Sequence, residues 1–303
     1  MFKNLARGLR NLSRLDSKTS GIINFLDLRK PSVKALYYIL LLISCCIAFV
    51  CLAPPLWVFL SSLKNIKEFA QVPPTIIPHT FEPQKIITTW KTLNFTKYYI
   101  NSFILVAGSV VCAIVFNGLA GYVISIIKPR GYRFVFNLIL WSLMIPATIN
   151  LVPIFKNIVA LKLNNSYIPL WLSYGANAFY VLLFKNFFDE IPREIIEAAK
   201  IDGCPNLRLF YKIVMPLSVP IIIVVTIFSI NASWSDFLLP YIVLKNRESY
   251  TVMIKIYEMS FGNTWMSADM KMLAVLYAIL PPVVLVIFFQ KYLTQGVVIG
   301  SLK

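Results

Sequence analysis

Residues 192–220 read PREIIEAAKIDGCPNLRLFYKIVMPLSVP, and they decide how the rest of the chain is interpreted. Five charged side chains fall within ten residues of this stretch, while the apolar runs on either side carry almost none. Pro192 suits the first turn of a helix, and Gly203 suits the left-handed residue that ends one. The pattern predicts a helix of about three turns, a tight turn, and a second helix that begins after Pro205 and runs into the next apolar run.

Four residues of the first of these helices share one face. At spacings of i, i+3, i+4 and i+7, this face contains Ile195, Ala198, Ala199 and Asp202. The two alanines permit close approach by another protein. The alternative is an ordinary amphipathic surface helix in which Glu197 pairs with Arg193 or Lys200, each pair contributing about 0.2–0.5 kcal/mol.

The composition is that of a membrane protein. The 303 residues are 58% hydrophobic and 14% charged, with a mean hydropathy of +0.72. Soluble domains carry about 25% charged residues. The net charge of +16 lies mostly in the flanks of apolar runs, where the topology rule and anionic headgroups account for it. Because no nucleic-acid-binding module accompanies this charge, we expect membrane lipid as a partner and no nucleic acid.

Six apolar runs predict six transmembrane helices in an all-α integral membrane protein with both termini cytoplasmic. The runs lie at about residues 35–63, 100–127, 134–155, 168–184, 213–234 and 272–289. The expected parts are a basic cytoplasmic N-terminal segment (1–34), a transmembrane domain (35–289) and a cytoplasmic C-terminal tail (290–303). Within the transmembrane domain we expect a cytoplasmic loop at 185–212, called the coupling segment below, and an extracellular loop at 245–271.

Prolines and small residues give finer expectations. Pro54-Pro55 predicts a kink or an early end of the first span, and Pro146 and Pro153 predict breaks in the third. The prolines of residues 64–98 predict an irregular external loop. Close packing of the second span against its neighbours is predicted from Gly108, Gly118, Ala120 and Gly121.

Few residues here are suited to catalysis or metal binding. Four of the five cysteines lie in apolar runs without metal-ligand spacing, so we expect small buried hydrophobes. His79 is the sole histidine, which excludes a multi-His metal site and argues against His-dependent catalysis. We expect His79 to be a solvated loop residue. The chain is predicted not to be an enzyme, with no catalytic residue, no metal site and no cofactor of its own.

The apolar runs are nearly free of ionisable residues, although an ion-coupled carrier keeps such residues within its spans. Asp236 is the one acid near a membrane edge, either as a substrate or gating residue or as an interfacial acid at a helix end. No phosphate-cradling G-x-x-x-x-G-K-[ST] motif is present. Both absences favour a transport subunit whose energy is supplied by a separate protein.

The central stretch resembles the EAA loop of bacterial ABC-importer permeases. The family pattern is E-A-A-x-x-D-G, then nine further residues, then I-x-L-P. The matching residues are Glu197, Ala198, Ala199, Asp202, Gly203, Phe210 and the IVMP at 213–216. Cys204 stands where a small residue is usual, and Met215 replaces leucine.

Other pieces resemble the carbohydrate branch of the family, in particular the smaller, partner-type permease of the maltose transporter. They are Ser62-Leu63-Lys64, Asn101-Ser102, Trp234-x-Asp236-Phe237 and the tail from Gln290-Lys291 through Gly296 to Gly300-Ser-Leu-Lys303. Lys291 stands where arginine is usual. The resemblance begins at about residue 35 and implies the ABC-importer permease fold of the maltose-transporter type.

The resemblance also implies partners and residue roles. Glu197 would engage a basic residue in a cleft of an ATPase, Ala198 and Ala199 would form the close-contact surface, and Gly203 would form the turn. Tail contacts to the ATPase dimer would come from Gln290, Gly296, Gly300 and Lys303. The other implied partners are a second homologous permease, giving a heterodimer, and an extracellular solute-binding protein. ATP and Mg²⁺ would be bound by the ATPase.

The leading hypothesis is the permease subunit of a binding-protein-dependent importer of a sugar, specifically an oligosaccharide. Aromatic, amide and acidic side chains suggest a substrate path of Asn150, Tyr174, Asn231, Trp234 and Asp236, with helix packing as their alternative role. Aromatics from Tyr250 to Trp265 would contact the binding protein or belong to an interfacial belt. Alternative cargoes are glycerol phosphate or a peptide; a phosphate favours Arg or Lys in the spans, and none is present. A stand-alone secondary carrier or channel and a structural scaffold are the other classes.

Overall fold

The computed structural model of the protein describes residues 31–261 and 266–300, and these ranges contain helices and no strand. The predicted all-α class is confirmed. The chain forms two compact units, one ending at Val58 and one beginning at Phe59. The described part of the first unit belongs to helix α1, Pro31–Ser62, which continues through Pro54 and Pro55. The early end predicted there is wrong, because local backbone adjustments and neighbouring groups let membrane helices tolerate proline.

The second unit contains helices of very unequal length. Its first half comprises α2 (Ile66–Phe69), α3 (Gln84–Thr92), α4 (Phe95–Tyr122), α5 (Tyr132–Ser142), α6 (Leu151–Ala160), α7 (Ile168–Gly175) and α8 (Ala178–Asp189). Its second half comprises α9 (Arg193–Ile201), α10 (Asn206–Leu209), α11 (Met215–Leu217), α12 (Val219–Ser235), α13 (Leu238–Val243), α14 (Val252–Phe261) and α15 (Ala268–Gly300). Single π-helical turns occupy Val123–Ile127 and Phe210–Val214, and 3₁₀ turns occupy Ala147–Asn150 and Arg247–Ser249.

Helix α4 is the central element of the second unit and packs against α7, α8 and α12. A Cβ atom added at Gly121 would lie only 2.8 Å from the Cβ of Phe184. At Gly118 the nearest atom would be the Cζ of Phe210, at 3.6 Å. The prediction that small residues bring this helix close to its neighbours is confirmed at Gly121 and at Gly108, where an added Cβ atom would overlap the Trp171 ring.

Three described helices are long and apolar enough to cross a membrane, namely Val33–Ser62, Phe95–Ile127 and Ala268–Phe289. A fourth crossing results if Asn206–Leu217 and Val219–Ser235 are counted as one span. The third and fourth predicted spans correspond to pairs of shorter helices. The count of six spans and the cytoplasmic position of both termini stay predictions.

Both of these shorter pairs are interrupted near their middle. The gap between α5 and α6 contains Pro146, as predicted, but Pro153 lies in the first turn of α6. The break predicted at Pro153 is wrong, because a proline in a first turn removes no helical hydrogen bond. The fourth predicted span is not one helix, since α7 ends at Gly175 and the backbone of Ala176 is non-helical, with φ −115° and ψ 49°.

The predicted direct passage from the coupling segment into the fifth span is also wrong. The chain bends by 83° between Leu217 and Val219. Ser218 sits at the bend with φ −99° and ψ 17°. Pro220 follows at once, and a continuous helix is blocked there because proline cannot donate to the carbonyl four residues earlier and its ring clashes with it.

The segment at 64–98 contains α2, α3 and the start of α4, while residues 70–83, which hold its four prolines, are irregular as predicted. This irregular part is ordered around one carboxylate. The carboxylate of Glu68 accepts from the N–H groups of His79 (2.8 Å) and Thr80 (3.1 Å), and from the Thr75 and Thr80 hydroxyls. The bond from the His79 N–H is the main cause that lowers the pKa of Glu68 to about 2, against the opposing effect of burial. His79 itself is exposed, as predicted.

Three of the cysteines differ from expectation. Cys45, Cys46 and Cys51 lie on α1 and are exposed within the described chain, although burial was expected. Lipid tails are as apolar as a protein core, so a hydrophobic run in a membrane helix carries no requirement that its side chains be covered by protein.

Candidate functional site

The first helix of the coupling segment, α9, has nine residues, which is about two and a half turns rather than the three predicted. Glu194 lies in its first turn and Lys200 in its last. Both charges have the favourable sign for the helix dipole.

Helix α9 ends in a left-handed turn at Gly203, where φ is +73°. The Cys204 N–H donates to the Ala199 carbonyl (3.0 Å), and the Gly203 N–H donates to the Lys200 carbonyl (3.0 Å). These two bonds form a Schellman motif, which satisfies carbonyl groups that the helix end would otherwise leave unpaired. The turn predicted at Gly203 is confirmed.

Burial divides the predicted coupling residues into two groups. Ala199 (7% exposed) and Phe210 (6% exposed) belong to the buried cluster that also contains Tyr122 and Phe184. The exposed members are Glu197, Ala198, Asp202 and Gly203. The prediction that both alanines form an exposed contact surface is wrong for Ala199, because that side of α9 packs onto the chain's own core.

Two apolar side chains on the exposed surface are not identified by the sequence reasoning. Ile201 is 85% exposed and Leu207 is 65% exposed, and they lie on either side of the Gly203 turn. They place apolar surface beside the charged side chains of α9. The sequence feature that could identify this surface is Ile201, which directly precedes Asp202-Gly203. It lies at the end of a helix whose buried face is already complete.

Glu197 borders an open cavity of about 510 Å³. The charged residues of its lining are Lys128, Asp189, Arg193, Glu197 and Lys200. Asp189 is satisfied within the chain, because it accepts from the Ser125 hydroxyl (2.6 Å) and pairs with Lys185 (2.7 Å). Burial acts to raise the pKa of Asp189, but these bonds outweigh it and leave the pKa lowered.

Glu197 itself makes no ion pair with any residue of 31–261 or 266–300. The alternative in which it pairs with Arg193 or Lys200 is therefore not realised within these ranges. The result is an exposed carboxylate on a short, well-capped helix, with exposed apolar side chains at the adjoining turn. This surface is suited to a partner that offers a cation surrounded by apolar groups.

The residues predicted for a substrate path occupy three separate places. Tyr174 and Asp236 lie together, and the tyrosine hydroxyl interacts with the carboxylate. Asn231 and Trp234 instead line an apolar cavity of about 700 Å³, where the Trp234 indole donates to the Ala278 carbonyl (3.0 Å). The fifth residue, Asn150, is exposed at the start of α6.

A further polar residue, Asn117, is missed by sequence reasoning and lies beside Tyr174. It is fully buried in α4. Its amide donates to the Tyr174 carbonyl (2.8 Å), and its oxygen accepts from the Asn177 N–H (2.9 Å). Asn117 thus supplies partners to backbone groups on both sides of the gap between α7 and α8, and so holds Tyr174 in position.

The segment predicted as an extracellular loop at 245–271 contains α14. Tyr257 on this helix packs against three other aromatic rings, those of Phe237, Tyr241 and Phe261. Phe261 is 80% exposed, whereas Trp265 lies outside the described residues. The aromatic residues are therefore divided between internal packing and an exposed side chain at the end of α14.

The tail residues are described only in part. Gln290, Gly296 and Gly300 lie on α15, which continues to Gly300. Lys303 and the first thirty residues lie outside the described ranges.

Comparison with known proteins gives consistent matches. Residues 114–299 match the family described as "Binding-protein-dependent transport system inner membrane component". The arabinooligosaccharides transport system permease protein of Bacillus subtilis (strain 168) is 30% identical over 211 residues, which cover 69% of this chain and 74% of that protein. The sn-glycerol-3-phosphate transport system permease protein of Yersinia pestis bv. Antiqua is 29% identical over 252 residues, which cover 80% of this chain and 90% of that protein.

The fold is also similar to a chain of a solved bacterial ABC transporter that is involved in the import of the acidic polysaccharide alginate. The TM-score is 0.76, and the match covers 87% of this chain and 98% of that one. At 19% sequence identity this likeness concerns the fold alone. The predicted ABC-importer permease fold is confirmed.

Proposed function

Because this chain belongs to the family of binding-protein-dependent transport system inner membrane components, we propose that it carries an oligosaccharide inward across the cell membrane as the permease subunit of an ABC importer. Its family is one of membrane transporter permeases rather than a class of enzymes. The observation that carries the coupling part of the proposal is the exposed Glu197 carboxylate beside the Gly203 turn. In a chain whose spans lack ionisable groups, this surface is suited to receive energy from a separate ATPase.

The proposed assembly contains a second homologous permease, a dimer of ATPase subunits and an extracellular solute-binding protein. The chain would cross the membrane six times with both termini cytoplasmic, and two of the crossings would be made by the interrupted pairs α5–α6 and α7–α8. The ATPase would contact the exposed coupling residues and the tail of α15. Ala199 and Phe210 would hold the coupling segment on the permease core instead of contacting the ATPase.

Charge reversal at Glu197 tests the coupling. In the purified complex, we expect Glu197→Lys to lose most of the co-purifying ATPase subunits. Glu190→Lys is the matched control, because Glu190 is also exposed but lies before α9. Retention of the ATPase by Glu197→Lys at the level of the control would show that this carboxylate is not the anchor.

The cargo is proposed from the relatives and from charge. The relative from Bacillus subtilis is named for arabinooligosaccharides, and a sugar is held by aromatic rings and polar side chains, of which Tyr174 supplies a ring and a hydroxyl and Asp236 a carboxylate. sn-Glycerol 3-phosphate is the second candidate because the Yersinia pestis relative is named for it. The apolar runs contain no Arg or Lys to bind a phosphate, which favours the sugar.

Stimulation of the ATPase separates the two cargoes. The complex would be mixed with its binding protein and with either oligosaccharides or sn-glycerol 3-phosphate. We expect only the oligosaccharides to raise the rate of ATP hydrolysis. Stimulation by the phosphate ester alone would reject the sugar assignment and leave the importer assignment intact.

A further inference from the structure

Two residues near the start of α4 fasten the segment that follows α13. The Asn101 side chain donates to the carbonyls of Glu248 (2.7 Å) and Tyr250 (2.9 Å). The hydroxyl of Ser102, which is 3% exposed, accepts from the Val252 N–H (2.9 Å). These three bonds tie α4 to residues 248–252, which lead into α14. They give a structural purpose to the Asn-Ser pair noted in the sequence.

The other end of α4 is fastened to the coupling segment. The hydroxyl of Tyr122 donates to the carbonyl of Asn206 (3.0 Å), the first residue of α10. The Tyr122 ring is 2% exposed and packs on Phe210, with the ring centroids 5.2 Å apart. If α10 is displaced relative to α4, this contact must break; otherwise the inner end of α4 must move with α10.

Between its two fastened ends, α4 is continuous. Asn101 and Tyr122 are separated by about 32 Å at the rise of an α-helix, close to the hydrocarbon thickness of a bilayer. The close approach of Gly121 to Phe184 adds a rigid contact to α8 near the inner end. Helix α4 therefore joins the two regions without a break.

The covalent route between the same two regions is less suited to this task. The coupling segment leads into α12, and α12 leads to residues 248–252, but the route contains the 83° bend at Ser218. Helix α4 joins the same two regions without such a bend.

We propose that α4 carries the signal of binding-protein docking from residues 248–252 to the coupling segment, with Asn101, Ser102 and Tyr122 as positioning residues at its two ends. This inference rests on the proposed function, and it takes residues 248–252 to face the binding protein, as expected for part of the extracellular loop at 245–271. None of the three residues is assigned to cargo binding or to the ATPase contact. Their role is to hold one end of α4 to residues 248–252 and the other end to the coupling segment.

The test measures the ratio of ATPase rates with and without saturating sugar-loaded binding protein. It uses the complete transporter in liposomes. Ser102→Ala and Tyr122→Phe each delete one hydroxyl, and Asn101→Ala removes two bonds. We expect each variant to keep its ATPase subunits while the stimulation ratio falls about fivefold or more, the scale of a typical coupling energy.

Two controls make the same chemical changes elsewhere. Ser109→Ala removes a hydroxyl from α4 that is bonded only to Leu105 of the same helix. Tyr132→Phe removes a hydroxyl at the inner end whose partner is its neighbour Arg133. Both should keep the stimulation ratio of the unaltered protein. An equal loss in Ser109→Ala and Ser102→Ala would overturn the inference, because the loss would then come from general weakening of the helix.

A double variant tests whether the two ends act in series. If α4 is one connecting element, Ser102→Ala combined with Tyr122→Phe should lower the ratio no further than the more severe single change. Multiplied losses, or full stimulation in the single variants, would reject the inference and leave the proposed function standing. Failure of the unaltered transporter to respond to its binding protein would instead reject the proposed function.

Discussion

The side-chain amide of Asn117 donates to the carbonyl of Tyr174 at 2.8 Å, and this bond joins the middle of the central helix to the end of α7. The same side chain accepts from the Asn177 N–H at the start of α8. One buried residue therefore replaces helical hydrogen bonds on both sides of an interruption. An interrupted helix at membrane depth is stable only when its free backbone groups find such partners.

Replacement of Asn117 by leucine should destabilise the protein. The change keeps the volume but leaves buried backbone groups without partners, at about 1–3 kcal/mol each. The measurement is the thermal unfolding midpoint in detergent. Ser109→Ala in the same helix is the control, since it loses only an intrahelical bond. Equal shifts in the two variants would contradict the role assigned to Asn117.

The turn after α9 should depend on backbone conformation at Gly203. A Cβ atom added there meets nothing within 4 Å, so Gly203→Ala changes only the cost of a positive φ. We expect a loss of about 1–2 kcal/mol in the free energy of unfolding. Gly203→Asn should lose less, because asparagine adopts the left-handed region more readily. If both variants unfold at the same temperature, the turn is not limited by φ.

The contact between α4 and α8 should tolerate no side chain at Gly121. Gly121→Ala places a Cβ atom 2.8 Å from the Cβ of Phe184, and such overpacking costs about 1–3 kcal/mol. Gly118→Ala is the matched control, because its nearest neighbour lies at 3.6 Å. Gly121→Ala should therefore unfold in detergent at a lower temperature than Gly118→Ala. A larger effect at position 118 would show that the helices pack differently.

The stability of the segment around Glu68 should depend on pH. The pKa of Glu68 is about 2 in the folded protein and 4.5 ordinarily, so its ionised form stabilises the fold above about pH 4.5. This contribution is lost as the pH falls toward 2. Glu68→Gln should therefore lower the unfolding midpoint at pH 7 and have a shrinking effect between pH 4.5 and 2. Glu82→Gln, at an exposed position nearby, should show no such change; a pH-independent effect of Glu68→Gln would exclude the ionised carboxylate as the cause.

Local features of the coupling segment could be predicted from sequence because they depend on local chemistry. Gly203 is the residue type that ends a helix with a positive φ, and Pro192 marks where the helix begins. Which side of α9 is buried could not be predicted. The burial of Ala199 depends on a cluster that includes Tyr122 and Phe184, which lie far away in sequence.

Interruptions of the spans were harder to predict for a related reason. Pro54 and Pro153 suggest breaks that do not form, whereas the real break after Gly175 carries no proline. That break is stabilised by Asn117, which lies 57 residues before Tyr174 in the chain. A short-range pattern contains no information about such a partner. The hydrogen bonds at the two ends of α4 could not be predicted for the same reason, because the partners of Asn101 and Tyr122 are distant in sequence and only the fold brings them near.

The central claim is that a separate ATPase drives this permease through its contact with Glu197. Its most direct test is the initial rate of ATP-dependent oligosaccharide uptake into proteoliposomes that contain the complete transporter, with sugar-loaded binding protein supplied on the receiving side. Glu197→Lys is compared with Glu190→Lys. We predict that Glu197→Lys abolishes uptake and that Glu190→Lys retains it. Uptake by Glu197→Lys at the rate of the unaltered transporter would contradict the claim.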